Sequence, residues 1–247
     1  MASLYLIGIG PGSMDNLTGL AVKKLNESSV IIGYKYYINL IRPILKNKEI
    51  IESEITNEVD RAERAVLEVL NGKTVSLVSS GDSGIYGMAG LALEIISKKN
   101  IDIDVHVIPG ISALNSAAAL LGSPIMNDFC SISLSTNLTP WNIIEKRIMN
   151  AAEADFVIIF YNPKSMRRQN GIVNAMEIIK RYRNESTPVG IVKNAYRDGQ
   201  EVILTDIKSM DYNTIDMFST VIIGNSQTYS YKDFMITPRG YSKKYEY

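Results

Sequence analysis

The sequence predicts an α/β protein with two domains, a mostly parallel sheet in the first and a mixed sheet in the second. Short apolar runs alternate with helical stripes throughout the 247 residues. Three runs in the first half end in glycine turns, at Gly8–Gly12, Gly81–Gly84 and Gly110. In the second half, Asp198-Gly199 between two strand patterns predicts an antiparallel hairpin. Because parallel strands end at one sheet edge, the three glycine turns predict a shared ligand crevice.

Composition and charge are those of a globular protein with an apolar core. The chain is 46% hydrophobic and 21% charged, with 26 basic and 26 acidic residues. The balanced charge argues against a nucleic-acid partner. The single cysteine, Cys130, excludes an internal disulfide, and we expect it to be a small core residue. Without a signal-peptide pattern or an apolar run of roughly 18 residues, we expect a cytoplasmic protein with no membrane contact.

The first strand, Leu4–Ile9, enters the turn Gly8–Gly12 and then a helix, an order shared with dinucleotide-binding folds. The spacing G-x-G-P-G differs, however, from the G-x-G-x-x-G that such folds need. The next strand, Val30–Ile32, ends in Gly33-Tyr34, with no carboxylate to hold a ribose. No Gly-Lys-Ser/Thr follows the turn, so a P-loop is disfavoured together with NAD binding.

Apolar spacing predicts the other elements of the first domain. These are a helix at Tyr34–Ile44, a strand at Glu49–Ile51, a helix at Asn57–Leu70, a strand from Val75, a strand at Ile103–Ile108 and a helix through Ala117–Leu121. The pattern changes near Ser123–Asp128. We therefore predict that the first domain comprises residues 1–125.

The stretch Val75–Gly87 (VSLVSSGDSGIYG) is the centre of the predicted site. Its apolar strand ends at two serines, and residues 88–95 place apolar side chains on one helical face. We predict that this helix begins directly after Gly84, with Asp82 or Ser83 as its cap. The glycines would let a ligand approach the backbone closely. A purely structural, well-capped turn explains the same residues equally well.

The second domain, residues 126–241, combines helices with strands of both directions. Its predicted strands are Phe129–Leu134, Phe156–Tyr161, Pro188–Val192, Glu201–Ile207 and Thr220–Ile223. Its predicted helices are Trp141–Ala152 and a stripe from Ile172 to Ile179. We predict a disordered tail at residues 242–247.

The chain contains few side chains suited to acid, base or metal chemistry. The single histidine, His106, lies within a predicted strand, which favours a core or structural role over that of a base. No Ser-His-Asp triad and no metal-ligand spacing can be built from the sequence. Binding loops without catalytic side chains favour a reaction whose reagent is already activated and needs mainly positioning.

Six ordered segments resemble the tetrapyrrole methylases, which use S-adenosylmethionine. The first half contains the family-like motifs GIGPGSMDNLTGLA (Gly8–Ala21), SSGDSGIYGMA (Ser79–Ala89) and PGISA (Pro109–Ala113). The second half resembles the precorrin-3B C17-methyltransferase branch in FYNPKSMRR (Phe160–Arg168), IVKNAYRDGQ (Ile191–Gln200) and TVIIGNSQT (Thr220–Thr228). One departure is Ser83, where the broad family often has proline.

The resemblance implies two α/β domains with the cofactor in the cleft between them, and usually a homodimer. It implies S-adenosylmethionine as methyl donor, a tetrapyrrole as small-molecule substrate and no protein-bound metal, any cobalt belonging to the substrate. The implied reaction of cobalamin biosynthesis is methylation of (cobalt-)precorrin-3/3B at C17, with ring contraction to (cobalt-)precorrin-4. The modest length and the lack of a metal motif favour the cobalt-first, oxygen-independent route.

The resemblance also implies which residues of this chain bind the cofactor and the substrate, because they occupy the matching motif positions. Cofactor contacts are expected from Gly81, Asp82, Ile85, Ser112, Ala113, Phe160, Tyr161, Asn194, Ala195, Thr220 and Val221. Substrate contacts are expected from Gly10, Pro11, Gly12, Arg168 and Arg197, within a cationic group that also includes Lys164, Arg167 and Lys193. We favour a substrate role for Arg168 and a solvated position for Lys164.

The catalytic acid or base is expected to be Asp15 or Tyr161, and Asp15 could instead be only a helix cap. Two other functions stay open. One is a related methylase acting on another precorrin position, ribosomal RNA or a translation factor. The other is a nucleotide-binding module without catalysis.

Overall fold

The computed structural model describes residues 2–54, 56–165 and 168–246. The chain divides into two compact units, the first ending at Ala113 and the second beginning at Leu114. Among the described residues, no helix has both the length and the apolar character needed to cross a membrane.

The first unit is built on a five-stranded sheet in which every strand is parallel to its neighbours. Its strands are β1 (Ser3–Gly8), β2 (Val30–Tyr34), β3 (Glu49–Ser53), β4 (Val75–Ser79) and β5 (Asp104–Ile108). Its helices are α1 (Gly19–Glu27), α2 (Lys35–Ile41), α3 (Glu58–Leu70) and α4 (Ala89–Lys98). The strand order is β3-β2-β4-β1-β5. The predicted parallel sheet is confirmed, and the carboxyl ends of β4, β1 and β5 are neighbours.

Continuous apolar runs form the central strands because helices cover both faces of the sheet. In β1, Leu4 and Leu6 are fully buried in a cluster that includes Val66 of α3. The alternate residue Ile7 is buried in a second cluster with Leu25 of α1. Side chains alternate between the two faces of a strand, so β1 supplies both cores.

The helix after the central glycine turn begins later than the sequence predicted. It starts at Ala89 rather than directly after Gly84. The intervening residues form an irregular loop in which Tyr86 adopts a left-handed backbone with φ of 54°. At the end of this loop the Met88 amide donates to Ser79 Oγ at 3.1 Å. A residue with positive φ cannot continue an α-helix, so the helix starts after it.

The second unit contains a five-stranded mixed sheet and a small three-stranded sheet. Its strands are β6 (Gly122–Ser123), β7 (Phe129–Ser133), β8 (Val157–Tyr161), β9 (Pro188–Lys193), β10 (Glu201–Asp206), β11 (Ser219–Ile223), β12 (Tyr229–Tyr231) and β13 (Phe234–Ile236). Its helices are α5 (Ala113–Leu121), α6 (Trp141–Glu153) and α7 (Gly171–Ile179). The larger sheet has the order β10-β9-β11-β8-β7 and the smaller one β12-β13-β6.

Strand directions in the larger sheet confirm the predicted mixed character. β7 and β8 are parallel, whereas β8 with β11, β11 with β9, and β9 with β10 are antiparallel. The predicted hairpin connects β9 and β10. At its tip the Gln200 amide donates to Arg197 O at 3.1 Å, and Gly199 has a φ of 74°.

The two units separate directly after the first residue of α5, earlier than the boundary near Ser123–Asp128 that the sequence predicts. Buried residues of α5 such as Leu114 and Leu121 pack with Val192 and Ile222 of the second sheet. This apolar packing assigns almost all of α5 to the second unit. In the tail, the described residues include one 3₁₀ turn at Tyr241–Lys243.

Candidate active site

At the carboxyl edge of the first sheet, the loops after β1 and β4 keep pairing beyond the strands. The Gly10 amide donates to Gly81 O at 3.0 Å, and the Gly81 amide donates to Gly10 O at 2.7 Å. Both residues have positive φ, 71° and 67°, a conformation that glycine adopts at little cost. This reciprocal pair joins two of the sequence motifs into one backbone layer.

The strand ends of β1, β4 and β5 approach so closely that side chains are excluded. A Cβ placed on Gly110 would lie 2.2 Å from Gly81 O and 2.6 Å from the carbonyl carbon of Gly8. A Cβ placed on Gly8 would lie 2.6 Å from Gly81 O. These neighbours are backbone atoms in a hydrogen-bonded layer, so they cannot simply move aside. At Gly8 and Gly110, the atoms that approach the glycine backbone closely belong to neighbouring loops of the protein.

The Asp82 carboxylate connects two loops of this edge. Its Oδ1 accepts a hydrogen bond from the Gly84 amide at 2.8 Å, and its Oδ2 accepts one from the Gly110 amide at 3.0 Å. The neighbouring Ser83 is fully buried and its Oγ donates to Leu6 O at 3.0 Å. The prediction that Asp82 or Ser83 caps α4 is therefore wrong. Instead, Asp82 holds the Gly110 loop against the glycine turn.

Three predicted cofactor residues of the first unit lie side by side on this layer. Ser112 Cα and the Ala113 amide nitrogen are each 3.6 Å from the position of a Cβ built on Gly81. Ser112 is almost fully buried. Ile85 and Tyr86 follow the turn and are exposed. The edge therefore combines peptide groups with the exposed side chains of Ile85, which is apolar, and Tyr86, which is aromatic and carries a hydroxyl.

The segment after β1 holds the predicted substrate residues Gly10–Gly12 and the candidate acid Asp15. Asp15 lies in a 3₁₀ turn and is exposed. Helix α1 is capped by Thr18, whose Oγ1 accepts from the Ala21 amide at 3.1 Å. Asp15 is thus not the cap of α1, and its proposed catalytic role stays a prediction.

His106 lies on the edge strand β5 and is exposed, so the expectation of a core or structural role is wrong in its first half, while the structural role stays a prediction. Its Nε2 is 2.9 Å from Asp104 Oδ2, and Ser3 Oγ donates to the same oxygen at 2.7 Å. Hydrogen bonds from Ser3 and then His106 hold the pKa of Asp104 below its ordinary value. Ser3 and His106 both contact Asp104, whereas in a catalytic triad the histidine lies between the serine and the aspartate.

The second sheet also gathers strand ends at one edge. Because β8 and β9 are both antiparallel to β11, they run in the same direction as each other and as β7. The backbone turns left-handed directly after β8 and β9, at Asn162 (φ 52°) and Asn194 (φ 49°). Asparagine tolerates this conformation better than most residues. The start of β11 lies between these two ends.

Predicted cofactor residues of the second unit lie on these adjacent strands. Val221 pairs with Phe160, and Thr220 pairs with Val192. The side chains of Phe160 and Val221 are fully buried in the core. Asn194 and Ala195 follow β9 at the carboxyl edge. The structure therefore brings this group together, although two of its side chains serve the core.

Tyr161, at the end of β8, has a structural contact of its own. Its hydroxyl accepts a hydrogen bond from the Leu114 amide at 2.8 Å. Leu114 lies in the first turn of α5, where amides lack helical partners. Tyr161 therefore stabilises the start of α5, whatever part it takes in chemistry.

Arg168 stands out among the predicted cations. Its Nη1 donates to Ser135 Oγ at 3.3 Å and its Nη2 to Asn162 O at 3.2 Å. Its buried Nε has no hydrogen-bond partner among the residues that the structure describes. Burial lowers the pKa of Arg168 from its ordinary value, because removal from water disfavours the charged form.

The other predicted cations differ from Arg168. Lys164 donates to Tyr212 O, so the expected solvated position is wrong. Lys193 forms a 3.0 Å ion pair with Asp216. Arg197 lies in the β9–β10 hairpin loop, where its amide donates to Asn194 O at 2.9 Å. Arg167 lies outside the described residues.

A cavity of about 310 Å³ adjoins Arg168, and we name it the Arg168 pocket. It is lined by Thr136, Trp141, Arg168, Gln169, Asn170, Gly171 and Asn174. Sequence reasoning identified only Arg168 in this set. The polar residues Gln169-Asn170 before α7 were a weak signal. No sequence signal pointed to Ser135, which orients Arg168, because the two residues are 33 positions apart in the chain.

Within the described ranges, no three His, Cys, Asp or Glu side chains are grouped so as to hold a metal ion. Cys130 lies in β7 and packs against the core, as predicted. Burial raises the pKa of its thiol to about 11.

The profile of the tetrapyrrole (corrin/porphyrin) methylases matches residues 3–211 of this chain. The chain belongs to this family, which confirms the resemblance seen in the motifs. It is 54% identical over 246 residues to the cobalt-factor III methyltransferase of Priestia megaterium, covering 98% of this chain and 46% of that protein. It is 47% identical to the probable cobalt-factor III C(17)-methyltransferase of Salmonella typhimurium (strain LT2), covering 97% and 99%.

Among solved structures, the crystal structure of the methyltransferase CobJ is similar with a TM-score of 0.90 and 30% identity. The similarity covers 96% of this chain and 99% of that one. The chain thus spans about half the length of the Priestia megaterium relative and nearly the whole length of the other two. The predicted α/β architecture of both halves is confirmed.

Proposed function

We propose that this chain transfers the methyl group of S-adenosylmethionine to C17 of a (cobalt-)precorrin-3/3B macrocycle, with contraction of the ring to the (cobalt-)precorrin-4 level in cobalamin biosynthesis. The observation that carries the proposal is the 47% identity to the Salmonella typhimurium relative along almost its entire length. That protein and the Priestia megaterium relative are both named for cobalt-factor III. Their names support a substrate that already contains cobalt.

The donor supplies a methyl group activated by the sulfonium, so the protein needs no nucleophilic side chain of its own. What the chain contributes is positioning. In the first unit we assign this role to Gly81, Asp82, Ile85, Ser112 and Ala113. Peptide groups of the interlocked loops suit the amino and carboxylate groups of the donor, and exposed Ile85 suits its adenine.

In the second unit we assign donor contacts to Phe160, Tyr161, Asn194, Ala195, Thr220 and Val221. Since Phe160 and Val221 have buried side chains, their contribution would be made by backbone or by shaping the strand. The left-handed turn at Asn194 leaves peptide groups at the sheet edge. These groups suit the polar atoms of a nucleoside.

Substrate contacts are assigned to Gly10, Pro11, Gly12, Arg168 and Arg197. A macrocycle with acetate and propionate arms is a polyanion, and arginine binds carboxylates in a two-pronged geometry. Tyr161 and Asp15 are the proposed candidates for proton transfer during contraction. The family resemblance supports a homodimer, and a single cysteine suits the reducing cytoplasm.

The test is anaerobic incubation of the chain with cobalt-precorrin-3 and, in a parallel reaction, with cobalt-factor III, each with S-adenosylmethionine carrying a ¹³C-methyl group. We expect mass spectrometry to find one labelled methyl group per macrocycle, and NMR to place it on C17. Parallel reactions use precorrin-3B, ribosomal RNA and a translation factor. Methylation of RNA or protein instead of any of these macrocycles would overturn the proposal. Methylation of precorrin-3B alone would overturn the preference for cobalt.

A further inference from the structure

The Arg168 pocket lies where ligands bind in α/β proteins, at the carboxyl edge of the sheet. Thr136 follows β7, and the segment from Arg168 to Gly171 follows β8. The first residues of α6 and α7, Trp141 and Gly171, complete the opposite walls. Two parallel strands and two helix starts therefore converge on one cavity.

Arg168 brings a positive charge to this cavity, and no acidic side chain of the described residues pairs with it. Two hydrogen bonds, to Ser135 Oγ and Asn162 O, fix the orientation of the guanidinium. Its Nε is buried and lacks an acceptor within the described part of the chain. Burial lowers the pKa of Arg168, and within the described ranges no carboxylate raises it again. A partly buried cation without an anion costs free energy that the fold itself does not recover.

The start of α7 adds positive potential at the same place. A Cβ built on Gly171, the first residue of α7, would lie 3.6 Å from both Cδ and Nε of Arg168. The arginine therefore lies over the positive end of a nine-residue helix. The N-cap residue, Asn170, makes no side-chain capping hydrogen bond. Both features are unfavourable for folding and favourable for binding an anion.

We propose that the Arg168 pocket binds one carboxylate arm of the tetrapyrrole substrate. This inference rests on the proposed function and names the group that this site recognises. The guanidinium presents donors to a carboxylate, and the amides of Asn170 and Asn174 extend the polar lining. The indole of Trp141 supplies an apolar wall for the methylene carbons of the arm. A cavity of about 310 Å³ is large enough for an acetate or propionate group.

Trp141 offers a direct readout, because it is the only tryptophan of the chain. The intact protein is titrated with sodium propionate, with sodium chloride at equal ionic strength as reference. We expect a saturable change in tryptophan emission with propionate only, and its loss in Arg168→Gln. Arg147→Gln, at an exposed position of α6, should respond as the wild type does. An emission change that persists in Arg168→Gln, or none in the wild type, overturns the pocket assignment.

Kinetics identify the molecule to which the carboxylate belongs. In Arg168→Gln we expect the KM for cobalt-factor III to rise about 10- to 100-fold, with the KM for S-adenosylmethionine unchanged. Arg168→Lys keeps the positive charge but loses the planar guanidinium, so its KM for cobalt-factor III should lie between those of the wild type and Arg168→Gln. Circular dichroism confirms that each variant is folded. A macrocycle KM that stays constant, or a rise confined to S-adenosylmethionine, overturns the inference.

The two proposals fail in different ways. If the wild type methylates cobalt-factor III and Arg168→Gln does so with the same KM, only the pocket assignment falls. If the wild type methylates no macrocycle, the proposed function falls. The propionate titration then still decides whether the pocket binds a carboxylate.

Discussion

The carboxyl edge of the first sheet is formed mainly by backbone peptide groups, whereas that of the second sheet is formed largely by side chains. In the first unit, the edge is a layer of peptide groups interlocked through Gly8, Gly81 and Gly110 and tied by one carboxylate, Asp82. In the second unit, the backbone turns away at left-handed Asn162 and side chains such as Arg168 form the surface.

Because of this difference, the two edges should tolerate different kinds of amino-acid substitution. Backbone packing leaves no room for an added methyl group at Gly8 or Gly110, and Gly81 has a positive φ, so the shape of the first edge depends on residues that have no side chain. Side-chain chemistry on the second edge can change without moving a strand. We therefore expect glycine substitutions on the first edge to damage the fold, and side-chain substitutions on either edge to alter binding or individual hydrogen bonds.

The largest effect is expected for Gly110→Ala. The new Cβ would stand 2.2 Å from a backbone oxygen, and relieving that clash should cost about 3 kcal/mol of unfolding free energy. Urea denaturation measures this loss. The control is Gly90→Ala in α4, where nothing lies within 4 Å of the added Cβ and stability should hold or rise. Equal stability of Gly110→Ala and the wild type would break the comparison.

The next effect is expected for Asp82→Ala, which removes the acceptor for both the Gly84 and the Gly110 amides. On the proposed function, the loosened loops should weaken S-adenosylmethionine binding about 10-fold or more. Isothermal titration calorimetry measures the Kd. Asp82→Asn keeps one acceptor oxygen, so its Kd for S-adenosylmethionine should lie between those of the wild type and Asp82→Ala. Asp102→Ala changes an exposed residue and should bind S-adenosylmethionine with the wild-type Kd. Wild-type affinity in Asp82→Ala would show that the carboxylate does not position the loops.

A smaller effect is expected for Tyr161→Phe on the second edge. The loss of the 2.8 Å hydrogen bond to the Leu114 amide should lower the unfolding free energy by about 1 kcal/mol. Urea denaturation is again the measurement, with Tyr182→Phe, an exposed tyrosine, as control. If the variant is as stable as the wild type, the hydroxyl does not hold α5. Formation of contracted product at the wild-type rate would remove Tyr161 as the proton-transfer group.

The smallest effect concerns Cys130, a partly buried residue of β7 that packs against the core of the second unit. With its pKa raised to about 11 from an ordinary 9.0, the reactive thiolate is about 100-fold rarer at neutral pH. We expect slow alkylation by iodoacetamide that accelerates as the pH rises toward 11. The urea-unfolded chain should react at the ordinary rate. Rapid alkylation of the folded protein would show that this core is open to water.

Local patterns predicted much of the fold. The strands of the two five-stranded sheets, the glycine turns and the hairpin at Asp198-Gly199 depend on residues that are adjacent in the chain, and they were placed correctly. The three-stranded sheet of β12, β13 and β6 was not predicted, because its strands have only two or three residues each. The motifs identified the family for the same reason. The start of α4 was missed because the left-handed Tyr86 interrupts a segment whose apolar spacing is helical. The exposure of His106 was missed because strand spacing does not reveal that β5 is an edge strand.

Most strands and helices, the family motifs and the glycines at the strand ends could be predicted from the chain, because each is encoded by neighbouring residues. The contacts of those residues could not, because they depend on the tertiary fold. Asp82 meets an amide 28 positions away, and Arg168 meets a hydroxyl 33 positions away. Such contacts arise from strand order and helix packing, which bring distant segments together. In the part of the chain that the structure describes, the same packing leaves the charge of Arg168 without a carboxylate, and this makes a residue of a sequence motif part of a candidate binding site.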